Sequence, residues 1–414
     1  MTSWASSNTY DTTERVTVVT VPNQKTLRLH VLSDLHTDRP SNLIWLKKHF
    51  RPRVDRFDVL VCAGDISNIS KTFEATLAVL VDTHAAVIFI AGNHDCWTRS
   101  GIGDKPCRDS FEKIQEIKAR CAARGVHTGP CRFVVEGGRD VVVVPLWSWY
   151  DDAFDVEEEL CETNVPPGLR SAQSRARWID YTLCRWGPLE TLEGYRFSAR
   201  EGTSHHAAKH FARVNEVRIA ATLDNLAVTA GERPLVVTMS HFCPRHELLP
   251  EKRFLVDPHL PKVAGTTEIE RQLRQLRSDV HVFGHTHLAW DLTLDSVRYI
   301  NWPLGSPREM QNQTRVVAGS GALVLYDAMR GLAPTQWTFW GDWYRSHQRN
   351  PMETTLAPWI RQVHKKVFNF EAPQPAKEPP YPHFPDGRSP GSWYRQNSRA
   401  SREWRSVPDG DDAR

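Results

Sequence analysis

The chain has 414 residues, 40% hydrophobic and 24% charged, a globular composition rather than a fibrous or disordered one. Its longest apolar runs, Ala85 to Ala91 and Val141 to Trp147, fall far short of the roughly 20 residues a spanning helix needs, so no membrane partner is expected. A net charge of +3 with no basic block argues against a dedicated nucleic-acid binder.

The opening stretch MTSWASSNTYDTTERV lacks an apolar signal-peptide core, and residues 1–13 read as a polar lead-in. Eight cysteines occur without a CxxC pair, which predicts free thiols in a reducing, cytoplasmic setting. Residues 14–370 read as one domain. Leu27 to Leu32 is a strand ending at Ser33-Asp34, and a short helix carries Leu43, Ile44 and Leu46. Val59 to Ala63 is a fully apolar strand ending at Gly64-Asp65. Phe73, Leu77 and Leu80 follow at helical spacing. Val87 to Ala91 is a buried strand ending at Gly92-Asn93-His94-Asp95. Asp109 and Ser110 then open an amphipathic helix through Phe111, Ile114, Ile117 and Cys121, stopped by Gly125.

Strands at Phe133 to Val135 and Val141 to Pro145 lead into residues 151–230, which read as a polar, mostly helical insertion over one end of the sheet. Leu235 to Met239 ends at Ser240-His241, and Val280 to Phe283 ends at Gly284-His285-Thr286-His287. Further strands cover Val297 to Ile300 and Ala322 to Tyr326. Residues 371–414 are proline-rich and poor in aliphatic side chains, so a disordered tail is expected. Strand–helix–strand early and short β segments later predict an α/β fold: a four-layer α/β/β/α sandwich of two mixed sheets flanked by helices.

Five of these strands end in Asp, Asn or His. Open α/β sheets place ligands beyond the carboxyl ends of their strands, so the five clusters are expected to converge. On extended backbone, residues two apart point the same way, so Asp34 with His36, and His285 with His287, each present two ligand atoms to one site. Three imidazoles with carboxylates suit Zn, Fe or Mn better than Mg or Ca. Arg245, Lys252 and Arg253 follow His241 and either reach a substrate phosphate or form a solvated loop. Trp97 either stacks on a leaving group or fills space. Trp147, Trp149 and Tyr150 read as packing, and His206 and His210 as a surface helix face.

In order, the five blocks resemble the D-x-H, G-D, G-N-H-[DE], H and G-H-x-H pattern of the calcineurin-like metallophosphoesterases, over roughly residues 27 to 330. The surrounding stretches Leu32 to Asp38, Ser240 to Arg245, Pro250 to Arg253 and Val282 to His287 resemble a branch found in plants, algae and protists, which brings no substrate with it. The resemblance implies a site for two divalent ions, Mn, Fe or Zn. Asp34, His36, Asp65 and His287 would hold one, and Asp65, Asn93, His241 and His285 the other. It also implies that a metal-bridging hydroxide attacks phosphorus, with His94 beside the leaving-group oxygen and Asp95 a candidate partner that orients His94. Asn68 stands where purple acid phosphatases have a metal-binding tyrosine and protein phosphatases an aspartate, and Ala91 where the latter have arginine. The expectation is hydrolysis of a phosphate mono- or diester of a small molecule. The alternatives are a nuclease or cyclic-nucleotide phosphodiesterase on the same site, or a scaffold that keeps the fold without catalysis.

Overall fold

The computed structural model describes residues 15–382 apart from 53, 99–106, 171–177, 188–203, 228–231, 308 and 310–320. The expected lead-in and the end of the expected tail, 383–414, lie outside the described residues. In chain order the strands are β1 (Thr17–Thr20), β2 (Thr26–Leu32), β3 (Arg56–Cys62), β4 (Ala86–Phe89), β5 (Cys131–Val134) and β6 (Val141–Pro145). They continue as β7 (Leu235–Met239), β8 (Val280–Phe283), β9 (Trp290–Leu294), β10 (Val297–Asn301), β11 (Leu323–Asp327) and β12 (Gly331–Leu332). One sheet has the order β12-β11-β2-β3-β4 and the other β1-β5-β6-β7-β8-β10-β9. Both are mixed: β2-β3-β4 and β6-β7-β8-β10 run parallel, while β11, β12 and β9 pair antiparallel.

The apolar runs explain this arrangement. In β4, β6, β7, β8 and β10 every residue is buried, as befits strands covered on both faces. Phe57 of β3 meets Phe133 of β5 across the two sheets, ring centroids 6.3 Å apart. Helices α1 (Pro40–His49), α2 (Ser70–Thr83) and α3 (Ser110–Ala123) accompany the smaller sheet. The α3 cap is the one expected, with the Asp109 carboxylate accepting from Glu112 N. After a short helix α4 (Asp180–Leu183) come α5 (Ser204–Ala227), α6 (Pro261–Ala264), α7 (Thr267–Gln275), α8 (Phe339–Ser346) and α9 (Pro358–Phe368). All eight cysteines are free, and no helix among the described residues is long and apolar enough to cross a membrane.

The insertion is smaller than the sequence indicates. Helix α5 is the crossover between β6 and β7, which are parallel neighbours and cannot be joined by a hairpin. Its buried Asn215 donates to Trp147 O (2.8 Å) and accepts from Trp147 N (2.9 Å), and Arg218 donates to Pro145 O (2.9 Å), clamping the helix onto the end of β6. Its buried face is Ala207, Ala208, Phe211, Ala212, Asn215 and Ile219; His206 and His210 stay partly exposed, as a helix face should. Only the stretch before α5 departs from a plain βαβ unit, and its described part carries isolated turns and α4 rather than a helical subdomain.

The tail boundary also moves. Ala372 and Tyr381 are buried, and the Tyr381 ring lies 5.8 Å from Trp359 and 6.4 Å from Phe254. One aromatic side chain seated on two others offsets the ordering of this short proline-rich segment. Truncation after residue 370 therefore exposes part of Phe254 and Trp359, and should lower unfolding free energy by about 2 kcal/mol in urea titration, the value of burying one large side chain.

Candidate metal centre

The carboxyl ends of β2, β3 and β4 in one sheet and of β7 and β8 in the other meet at a single seam. Backbone bonds stitch it: Asp34 N to Gly64 O (3.0 Å), His36 N to Asp65 O (2.9 Å) and Gly284 N to His241 O (2.9 Å). The chain here is not extended. Asp34, His36, Asp65, His285 and His287 all have φ between 41° and 70°. The paired ligands thus converge through left-handed turns and not through strand alternation, which corrects the expected geometry. Asp and His tolerate this conformation better than most residues. Close approach demands glycine here: a Cβ on Gly64 would lie 2.3 Å from His241 Nδ1, and one on Gly92 would lie 2.2 Å from Asp65 Oδ1.

All seven expected ligands come together around Asp65. Its Oδ2 lies 3.5 Å from His241 Nε2, 3.8 Å from His36 Nε2 and 4.0 Å from His94 Nε2. Ligand atoms of Asp34, His36, Asp65 and His287 lie within 4.8 Å of one another. On the other side, Asn93 Oδ1 lies 3.0 Å from both His241 Nε2 and His285 Nδ1.

The placement of protons shows what this arrangement wants. His241 Nδ1 faces Ala63 O at 2.9 Å and His285 Nε2 faces Val263 O at 2.8 Å. A carbonyl oxygen only accepts, so each ring carries its proton there and its inner nitrogen is bare. Burial holds both imidazoles at about 3, so neither is protonated at neutral pH. Asn93 Nδ2 donates to both oxygens of Asp180 (3.0 and 3.1 Å), which turns its Oδ1 toward the two bare nitrogens. His287 Nδ1 donates to Glu309 (2.7 Å), leaving its Nε2 bare 2.8 Å from His36 Nε2 and 3.6 Å from Asp34 Oδ1. Asp34 and Asp65 are buried as well, and burial pushes both carboxyls up. Acceptors facing acceptors at 3.0 Å repel unless a cation sits among them. Imidazole, amide and carboxylate donors are the set a borderline divalent metal takes, so the residues fit such an ion.

Asp180 and Glu309 escape the sequence reading. They lie in segments without periodicity or motif, and only the fold shows that they orient Asn93 and His287, the usual task of groups bonded to metal ligands. Asp180 also accepts from Trp97 Nε1 (2.7 Å), and the Trp97 ring stacks on His94 with centroids 3.8 Å apart. Trp97 therefore positions His94, a role distinct from both space filling and contact with a leaving group. Asp95 does not orient His94. Its Oδ2 accepts from Asp65 N (2.8 Å) and Gly92 N (2.9 Å), and its Oδ1 from Ile66 N (3.0 Å) and Ser67 N (3.1 Å). It ties the second and third blocks together, because backbone in left-handed turns has no strand to pair with.

The basic residues after His241 also miss the site. Arg245 is bound to Glu247 and Asp295 (2.6 Å each), Lys252 is buried against Asp155 (2.9 Å), and the Arg253 guanidinium lies 4.2 Å from the Phe254 ring centroid. Trp149 and Tyr150 are core residues, as expected. A cavity of about 360 Å³ opens onto Asp65, Asn93, His94, His285 and His287, and no lysine or arginine among the described residues lines it.

Two substitutions separate these roles. Asp180→Ala frees the Asn93 amide to turn and should weaken Mn binding by about 10- to 100-fold in calorimetry, with the fold retained. Asp95→Ala strands four buried N–H groups at about 1–3 kcal/mol each and should yield no folded protein by circular dichroism. A folded but inactive Asp95→Ala protein would restore a catalytic role for that residue.

Comparison with known proteins agrees with the geometry. The calcineurin-like phosphoesterase family pattern matches residues 27–289. The chain is 25% identical over 293 residues, 69% of its length and 80% of the relative's, to the [acyl-carrier-protein] phosphodiesterase PptH of Mycobacterium tuberculosis. Among solved structures it is similar to phosphopantetheinyl hydrolase (PptH) from Mycobacterium tuberculosis, with a TM-score of 0.48 and 21% identity, covering 72% of this chain and 98% of that one. It is also similar to TT1561 of Thermus thermophilus, with a TM-score of 0.33 and 10% identity, covering 66% and 88%. Through the family match over residues 27–289, the chain belongs to the calcineurin-like phosphoesterases, hydrolases of phosphoric esters.

Proposed function

We propose that the chain hydrolyses a phosphodiester of a small or tethered molecule, with two divalent ions, Mn, Fe or Zn, at the clusters centred on Asp65. One observation carries the reading: a cluster that presents the bare nitrogens of His241 and His285 beside Asn93 Oδ1 opens into a cavity with no lysine or arginine among its described lining residues. A phosphodiester brings one negative charge, which the ions would balance. A polyphosphate, a nucleic-acid strand or a dianionic monoester brings more charge, which no lysine or arginine among the described lining residues meets. The similarity to an [acyl-carrier-protein] phosphodiesterase supports a diester and adds a carrier-linked ester to the substrates worth testing.

When bound, such ions supply Lewis-acid charge to the phosphoryl oxygens and acidify a water for attack. The chain's own part is positional. Asp65, at the centre of the cluster, would serve both ions. Asp34, His36 and His287 would hold one, and Asn93, His241 and His285 the other. His94 stands on the cavity side, its side chain 29% exposed and braced by Trp97, where it gives its N–H to the leaving oxygen. Burial keeps this imidazole neutral at rest.

With Mn added, bis-p-nitrophenyl phosphate should turn over faster than p-nitrophenyl phosphate, and cyclic AMP slowly or not at all. A preference for the monoester would overturn the diester reading. Asp65→Asn should abolish turnover of every ester. His94→Ala should retain its metal by elemental analysis and lose about 10²- to 10⁴-fold on an alkyl leaving group, but less on p-nitrophenolate, which departs unaided. Equal losses on both would make His94 a positioning group instead.

A further inference from the structure

The cavity has two chemically different ends. The ligand residues form one. Phe254, Leu260, Phe339, Trp340, Trp359 and Ile360 wall the other. The wall is continuous: Phe254 and Trp359 stack with centroids 5.8 Å apart and planes 10° from parallel, and Trp340 lies 5.5 Å from Phe254. Tyr381 backs it from behind. Four of the six residues come from α8 and α9, beyond residue 289 where the family match ends, so most of this wall lies outside the matched core.

We propose that the aromatic wall is the subsite for the uncharged ester arm of the substrate, an unbranched alkyl or alkylamide chain whose phosphodiester group sits on the Asp65 clusters. The inference rests on the phosphodiesterase reading and adds the class of the arm. Continuity places both ends in one cavity, so a single molecule spans them. A volume of about 360 Å³ accommodates one arm and a phosphoryl group rather than a branched or polymeric ligand. The acid that lines it away from the clusters, Asp257, disfavours a second phosphate and leaves burial of methylenes as the source of affinity.

The test uses p-nitrophenyl phosphodiesters with methyl, butyl, hexyl or octyl second arms and the full chain loaded with Mn. Water adds to phosphorus, the P–O bond to p-nitrophenolate breaks with its electron pair on the phenolate oxygen, and the alkyl phosphate remains. Because the leaving group is constant, the arm alone varies. kcat/KM should rise about fourfold per methylene until the wall is filled. Leu260→Trp, which fills the subsite from its partly exposed rim, should flatten that slope. Trp359→Ala should lower the octyl-to-methyl ratio by at least about tenfold, and thermal unfolding midpoints identify any variant that fails to fold, for which Ile360→Val is the milder substitute. A flat series in the unmodified chain overturns the subsite. So does a slope that survives both Leu260→Trp and Trp359→Ala, or a thymidine 5′-(p-nitrophenyl) phosphate that outruns the octyl ester. Binding of the matching alkyl methylphosphonates, read by calorimetry on the Mn-loaded chain, separates the two readings. Rising affinity without turnover overturns the esterase function and upholds the subsite, whereas flat affinity overturns the subsite alone.

Discussion

Four backbone N–H groups converge on the Asp95 carboxylate, and the rest of the centre is measured from that knot. The peptides of Asp65, Ile66, Ser67 and Gly92 leave their strands in turns that no neighbouring strand can pair. Buried and unpaired, they would be ruinous for stability. A single carboxyl group satisfies all four, since each of its oxygens accepts two bonds. With the backbone fixed there, Asp65 is aimed into the seam, its Oδ1 accepts from His94 N at 3.0 Å, and its Oδ2 becomes the point around which the histidines gather.

Around that point the protein turns imidazole protons away from the cluster. Backbone carbonyls of Ala63 and Val263 and the carboxylate of Glu309 draw the imidazole protons outward, and Asp180 turns the Asn93 oxygen inward. The outer groups come from loops, from the stretch before α5 and from the segment after β10, so most of the domain contributes to presenting bare lone pairs. Burying Asp34 and Asp65 beside them is unfavourable without compensating positive charge. The two sheets tolerate this because their continuous apolar strands supply a large core on either side of the seam.

Much of this was legible in the residues. Strand ends carrying Asp, Asn or His marked all seven residues that converge around Asp65, since apolar runs announce buried strands and polar residues at their ends stand out. The missing parts follow physical rules too. Left-handed backbone at Asp34 and His285 leaves no pattern in sequence, because Asp and His are also ordinary loop residues. Asp180 and Glu309 act through contacts distant in the chain, and nothing local distinguishes them from surface acids. Helix α5 reads in sequence as part of an insertion because its polar face is broad and its buried face mixes alanine with Asn215, Arg218 and Thr222. The aromatic residues of α8 and α9 belong to no motif, and their role emerges only once Phe254 is placed beside them.

The left-handed turns have a consequence for transplanting this chemistry. Five of the seven ligand residues occupy backbone that costs about 1–3 kcal/mol each to hold, and the cost is offset by surrounding bonds rather than by the side chains themselves. Copying the same Asp, His and Asn identities onto the strand ends of another α/β scaffold would therefore let the backbone relax to ordinary angles and scatter the ligands. What has to be carried across is a peptide framework, including Gly64, Gly92 and Asp95, that binds no substrate and no metal. For anyone building such a centre anew, the hard part of the design lies in the loops that hold the shape, and the ligands come last.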